Sequence, residues 1–385
     1  MKKSSKEKKR FLCGKRILPP AISKEFSVAQ LIEETMLAYN GGRLRAACLL
    51  FKEYLAKDNV TIGFSLAGAL TPAGLGVSAI IPLMKHGYID WMVATGANMY
   101  HDMHFAFNLP LYQGTHCIND VKLREHQIFR IYDIFGDAQV LYETDRRLRE
   151  ILVRPEFQKE MGTQEFYYLL GKALDEHEKK HKLGEVSILA CAYRLGIPIF
   201  TSSPGDSTIG MDIAGLELIE NKNFKLKINP SIDVNETTAI VLNAKFSGGK
   251  SAVVLIGGGS PKNFVLQTEP HIQEILMIKE MGHDYDINIT DARPDTGGLS
   301  GATPQEAVSW GKINPQQIEK NVVVYGDATV YLPLLTAYIL SVLPKRKHKR
   351  LYDRRKELYQ RLREEYFKHN KEIPKLQNLL NNIKL

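Results

Sequence analysis

Short apolar runs separated by amphipathic stretches set the rhythm of this chain. VTIGFSL (60–66), DWMVAT (90–95), PIFTSS (198–203), SAVVLIGGG (251–259), YDINIT (285–290) and NVVVYGD (321–327) have the length and continuity of buried strands. Between them the spacing turns helical. Residues 27–57 predict two helices broken at Asn40-Gly41-Gly42, and an apolar helix ends near His86-Gly87. Further helices are predicted over roughly 121–135 and 142–195. Strands alternating with helices predict an α/β fold, with an open, mostly parallel sheet flanked by helices. Several strands end in small or polar residues: Ala67-Gly68, Thr95-Gly96, Ser202-Ser203, Gly257-Gly258-Gly259 and Gly326-Asp327. Such ends line the ligand crevice of an open sheet.

Size and charge refine this picture. The 385 residues suffice for one large or two modest domains, and a mean hydropathy of −0.22 is that of a soluble globular protein. There is no apolar run of about 18 residues, so no membrane span is expected. The basic N-terminus lacks the apolar stretch of a secretory signal. Four scattered cysteines (Cys13, Cys48, Cys117 and Cys191) suggest neither a disulfide framework nor a metal site, and a reducing cytoplasm suits them best. The net charge of +8 comes from the tails, since residues 1–10 carry +5 and residues 346–385 carry +8, leaving −5 for the body. A solvated, charge-laced helix is the commoner source of such a tail than a nucleic-acid surface. The expected organisation is a basic arm (1–24), a catalytic body (25–345) and a basic helical extension (346–385). In that extension a charged helix over 346–373 carries Leu351, Leu358, Leu362 and Tyr366 and is broken at Pro374, which reads as an appendage.

Three stretches imitate known chemistry. HEKKH (177–181) has zinc-peptidase spacing, but it lies within a charge run with no third ligand at a typical distance, so His177 and His181 are expected exposed and unliganded. AKFSGGKS (244–251) resembles a phosphate loop, yet its lysine leads into a strand rather than a helix, so a turn is expected. His101-Asp102-Met103-His104 could be drawn as a metal cluster, but without other converging ligands it reads as polar pocket lining. No metal is expected.

Lys312 is different. Thr303-Pro304-Gln305-Glu306 has the form of a capping box with proline in the first turn, and Gly311 can end the helix in the left-handed region. Local sequence leaves two readings open. A lysine there complements the helix dipole, or, if desolvated, it supplies a free amine for Schiff-base chemistry, with Trp310 as an apolar wall and cation–π surface.

With these residues in hand, the chain resembles the deoxyhypusine synthase family over roughly residues 25–343, most strongly in GATPQEAVSWGKI (301–313), VVLIGGGSPKN (253–263) and VVVYGDATVYLPLL (322–335). The resemblance implies a homotetramer of Rossmann-like subunits that binds NAD. It implies a hydride taken from spermidine by NAD, capture of the butyl-imine by Lys312, and transfer to an acceptor amine. It also implies amine contacts from Trp310 and Glu306. For NAD it implies Gly68, Ala69, Leu70, Thr71, Thr95, Gly96, Ala97, Asp206, Gly258, Asp327 and Ala328. Departures fall in the amine-recognition set: Tyr100 and His101 replace paired glutamates, Asn263 replaces a histidine, and Leu299 replaces an aspartate. The segment Asp206–Asp212 is one residue longer, so either Met211 or Asp212 fills an acidic position. We take His101, Asn263 and Asp212 as substrate-binding candidates. The expected activity is therefore NAD-dependent transfer of a four-carbon aminobutyl or guanidinobutyl group, from a polyamine or agmatine to a small amine such as putrescine, as in homospermidine-type synthesis. Modification of a translation-factor lysine is the alternative, and an NAD-binding scaffold without chemistry is a second. Retention of Lys312 argues against the scaffold.

Overall fold

The computed structural model describes residues 2–383. The six apolar runs form one sheet from β1 (Val60–Leu66), β2 (Trp91–Ala94), β3 (Ile199–Phe200), β4 (Lys250–Ile256), β5 (Tyr285–Thr290) and β6 (Asn321–Tyr325). All neighbours pair in parallel, in the order β3-β2-β1-β4-β5-β6. This is the doubly wound Rossmann order, and its reversal lies between β1 and β4. The register there pairs Val60 with Lys250 and Leu66 with Ile256, so both strands release their chains at the same level. The topology thus opens a crevice beside Gly68 and Gly257.

The chain's helices include α1 (Tyr39–Leu50), α2 (Gly96–Ala106), α3 (Ala138–Leu152), α4 (Thr163–His181), α5 (Ile188–Leu195), α6 (Thr208–Glu217), α7 (Pro230–Phe246), α8 (Gly259–Leu266), α9 (Pro304–Ser309), α10 (Ala328–Val342), α11 (Arg355–His369) and α12 (Ile373–Asn381). Strand alternation sorts the core into two layers. Ile62, Phe64, Val254, Ile287 and Ile289 pack with α1, α2, α5 and α10 on one face. Trp91, Val93, Val253 and Leu255 pack with α7, α8 and α11 on the other. Gly63 makes that second layer possible, because a Cβ there would lie 2.7 Å from the Trp91 ring.

The chain after 345 is built into this architecture instead of standing off as an appendage. Leu351, Leu358 and Leu362 are buried in the second layer, each contributing about 1.5–3 kcal/mol by the usual burial scale. Arg346 is buried as well. It donates to Gly87 O at 2.7 Å and Val60 O at 2.8 Å and pairs with Asp90 at 2.6 Å. The helix begins only at Arg355, and Pro374 sits in the first turn of α12 instead of breaking a helix.

Two other helix expectations are corrected. Gly41 and Gly42 lie inside α1, where a Cβ would crowd Met36 and Leu37, and the break falls before Tyr39. Only Asp120–Glu125 is helical in the 121–135 stretch. Ile128–Ile131 and Ile134–Asp137 form an antiparallel hairpin, turned at Tyr132 with φ 55°. The isoleucines at 128, 131 and 134 imitate helical spacing, but β-branching and the tight turn favour the hairpin.

Candidate functional site

The crevice at the sheet reversal is assembled from loops that hold one another. Thr95 caps α2, and its hydroxyl donates to Gly68 O at 2.6 Å. Asn98, one turn into α2, ties the first loop from inside: its Nδ2 donates to Gly68 O at 3.0 Å, and its Oδ1 accepts from Leu70 N at 2.8 Å and Thr71 N at 3.2 Å. A Cβ on Gly96 would lie 2.4 Å from Ser207 Oγ, which brings the loop carrying Asp206 against the start of α2. Asp327 caps α10 through Thr329 N at 2.7 Å. Gly68, Leu70, Gly257, Gly258, Asp327 and Ala328 line a cavity of about 280 Å³. The N-termini of α2, α8 and α10 all lie at this edge of the sheet, where their positive dipole ends favour an anion.

Helix α8 also serves a second cavity. Its start faces the crevice, while Lys262 and Asn263 line a cavity of about 440 Å³ together with Leu299, Glu306, Trp310 and Lys312. The Gly-rich run joins the two. Ser300 Oγ accepts from Gly259 N at 2.9 Å, and a Cβ on Gly258 would lie 2.4 Å from Ser300 Cα.

The position of Lys312 is fixed by its own backbone. Thr303 Oγ1 accepts from Glu306 N at 3.2 Å to start α9. Gly311 N donates to Val308 O and Lys312 N to Ala307 O, each at 3.0 Å, and Gly311 has φ 66°. That pair of bonds is a Schellman motif. Beyond it, Lys312 O accepts from His283 N at 2.9 Å and Gly311 O from Gln273 Nε2 at 2.8 Å. The side chain therefore leaves from an anchored origin. Lys312 Nζ donates to Asn263 Oδ1 at 2.9 Å and lies 5.8 Å from the centroid of the exposed Trp310 ring. Asn263 donates its own amide to Gln267, which fixes the amide so that its oxygen meets the lysine. The Glu306 carboxylate makes no return bond to Thr303 N among the described residues, so the capping box is half closed and Glu306 remains on the cavity wall.

Desolvation lowers the Lys312 pKa from its ordinary value, partly offset by Glu306 and Glu274. Lys245 shows the opposite balance: it is buried yet paired with Glu280, Glu269 and Asp284, and its pKa is raised. The difference lies in the partner. Lys312 meets a neutral amide, whereas Lys245 meets carboxylates. Two further groups in the cavity were not singled out by the sequence. Lys262 is 2 % exposed, donates to Ala302 O at 2.8 Å, and has its pKa lowered by burial. Asp286, also 2 % exposed, has its carboxyl pushed up by burial to about 7. The polar positions 286, 288 and 290 alternating with Tyr285, Ile287 and Ile289 were the available signal, since a strand with both faces in a core has no need of them.

Other candidates lie elsewhere. His101 Nδ1 meets His104 Nε2 at 3.0 Å, and His104 Nδ1 meets Thr144 on α3 at 2.9 Å. Burial lowers the two imidazoles to about 4 and about 3. Asp102 of the same turn accepts from Ser187 and the first residues of α5. This stretch is packing between helices, not pocket lining. Asp212 is buried against Arg149 at 3.1 Å, and Met211 is exposed. Neither His101 nor Asp212 lines the Lys312 cavity. The HEKKH stretch is also more buried than expected. His177 packs edge-on to Phe107 and meets Ala106 O at 3.1 Å, and Glu178 caps the start of α5 through Ser187 N at 2.8 Å. His181 is exposed. Lys250 opens β4 and pairs with Asp284 at 3.1 Å, as the reversed strand context required.

Known proteins are similar to this chain in sequence and in fold. A model of the deoxyhypusine synthase family matches residues 30–339. A "Deoxyhypusine synthase-like protein" of Nostoc sp. is 55% identical over 353 residues, covering 92% of this chain and 91% of its own. A "Probable deoxyhypusine synthase 2" of Methanosarcina acetivorans is 39% identical over 322 residues, covering 82% and 87%. A solved structure of a candidate deoxyhypusine synthase from Entamoeba histolytica superposes with a TM-score of 0.51 at 14% identity, covering 86% of this chain and 99% of that one, which is a likeness of fold.

Proposed function

Because the chain belongs to the deoxyhypusine synthase family, we propose that it is an NAD-dependent transferase of four-carbon aminoalkyl groups. It would move aminobutyl or guanidinobutyl from a polyamine or agmatine to an acceptor amine such as putrescine, in homospermidine-type synthesis. The observation that carries this reading is Lys312: an anchored, desolvated amine, hydrogen-bonded to a neutral amide, in a cavity next to the sheet crevice.

The crevice suits a dinucleotide. Its glycines leave room for close backbone approach, and three helix N-termini offer N–H groups to a pyrophosphate. Gly68, Ala69, Leu70 and Thr71, with Thr95, Gly96 and Ala97, would hold one part of it, and Asp206, Gly258, Asp327 and Ala328 the rest. Bound there, NAD would supply the hydride acceptor for oxidation of the donor's amine carbon to the imine level and the hydride donor for the final reduction.

This chain's residues do the remainder. The unprotonated Lys312 attacks the imine carbon, a C–N bond forms, and the leaving amine departs with the proton that Lys312 gives up. The acceptor amine then attacks the lysine imine and releases Lys312. Asn263 orients Nζ without holding a proton on it. Trp310 offers a cation–π face to the arriving amine, and Glu306 a carboxylate at the wall. The reading includes a cytoplasmic homotetramer, which light scattering checks.

The deciding experiment incubates the protein with NAD and a panel of amines, adds borohydride during turnover, and reads adducts and products by mass spectrometry. A four-carbon adduct on Lys312 and a transferred product are expected. Transfer from spermidine to a protein lysine alone, with no small-amine acceptor used, would favour the protein-modifying activity instead. No adduct with any donor would sink the proposal.

A further inference from the structure

The Lys312 cavity contains a carboxylate with nothing to do in the fold. Strand alternation turns Asp286 away from the core face occupied by Ile287 and Ile289 and toward α8 and α9, where it lines the cavity at 2 % exposure. Among the described residues its side chain accepts no hydrogen bond and forms no ion pair, and its Oδ1 is buried without a partner. Other buried carboxylates are used. Asp102 accepts from Ser187 and two backbone amides. Asp233 accepts from Thr163, Asp284 from Ser251 N, and Asp90 from Ile62 N and Arg346. Lys262 is the charged group that faces Asp286, but its amine is already committed to the carbonyls of Ala302 at 2.8 Å and Ser300 at 3.3 Å.

A buried carboxylate left without a partner is a cost the fold could remove by substitution, and it is retained where a ligand completes it. The complement of a desolvated carboxylate is a cation that brings its own hydrogen-bond donors. We infer that Asp286 receives the cationic end of the substrate, an ammonium or guanidinium group, at the inner wall of the Lys312 cavity, and so selects substrates charged at the end remote from the reacting carbon. This rests on the transfer reading for the word substrate, but the binding claim stands on the cavity itself. Glu306 and Glu274 lie on the same cavity wall and interact with Lys312 itself, which leaves Asp286 as the carboxylate available to the far end. The elevated carboxyl pKa agrees, since a cation bound there would restore the ionised form.

The test is calorimetric binding of 1,4-diaminobutane to the full chain with NAD present, comparing wild type with Asp286→Asn. The amide keeps the shape and removes the charge, so affinity should fall about 10-fold or more, the scale of one charge-assisted hydrogen bond. Binding within about twofold of wild type, or no diamine binding by wild type, would overturn the inference. The wild-type protein crystallised with 1,4-diaminobutane decides independently of how the variant folds. An amine nitrogen within hydrogen-bond distance of Asp286 supports the inference, and a diamine seated only on Glu306 or Glu274 refutes it. Loss of all group transfer in a protein that still binds diamine through Asp286 would sink the proposed reaction and leave this inference intact.

Discussion

Asp102 on α2 and Asp286 on β5 are both fully buried, and burial pushes both carboxyls up to about 7. They are used in opposite ways. Asp102 accepts from Ser187 Oγ at 2.6 Å, Ile188 N at 2.7 Å and Leu189 N at 3.1 Å, and so holds the start of α5 against α2. Among the described residues Asp286 holds nothing. The same contrast separates the two halves of the molecule around them. At the helix junction the polar groups are spent on one another, as in Arg194 with Asp175 and Glu178. At the Lys312 cavity a carboxylate and a weakly partnered amine are left over. Burial and a raised carboxyl pKa therefore do not by themselves identify a functional group; the hydrogen-bond accounting does.

The largest effect is expected at Lys312. On the proposed mechanism, Lys312→Ala should lower transfer by at least about 10³-fold, because that mechanism makes Lys312 the covalent carrier. Its stability should stay within about 1 kcal/mol of wild type, since the Schellman turn and the His283 contact are backbone. Lys312→Arg should fail equally, because guanidinium stays protonated. A large stability loss with either variant would make Lys312 part of the fold, like Asp102.

Next in size are the groups spent on the fold. Asp102→Ala leaves a hydroxyl and two amides without an acceptor and should cost about 3–5 kcal/mol in urea unfolding. Arg346→Met should cost a similar amount by stranding Asp90, a buried ion-pair partner. A cost below about 1 kcal/mol for either would erase the distinction drawn here.

Asp286→Asn should do the reverse, leaving stability unchanged or raising it by up to about 1 kcal/mol. Its folded pKa is raised above that of an unfolded aspartate, so the folded state keeps a proton that the unfolded state releases between about pH 4 and 7. Stability contributed at low pH is therefore lost as pH rises through that window. A series of urea midpoints from pH 4 to 8 should decline less steeply for the variant than for wild type.

The smallest effect sharpens the electrostatics of the lysine. Glu306 raises the Lys312 pKa, so Glu306→Gln should move the pH dependence of Lys312 alkylation toward lower pH, by less than about one unit. A shift toward higher pH would mean that Glu306 does not face Nζ.

Local pattern along the chain was enough for part of the architecture. Six apolar runs became the six strands of the sheet, because a strand buried on both faces admits little else. Small residues at their ends marked the crevice, and Thr303, Pro304 and Gly311 bounded α9 so tightly that Lys312 could be singled out before any contact was known. Tertiary structure decided the rest, because it depends on which face meets which neighbour. Helical spacing at 128–134 could not reveal that a turn at Tyr132 closes a hairpin. The charged tail concealed Arg346 and three leucines that reach the core only once α7 is in place. Correspondence with the family puts His101 and Asp212 beside the amine, whereas the packing of α2, α3 and α6 sets them apart from the Lys312 cavity of the same chain. Asp286 sat unremarked within an apolar run, since a carboxylate shows itself as unpartnered only when every neighbour that could have paired with it has been given a position.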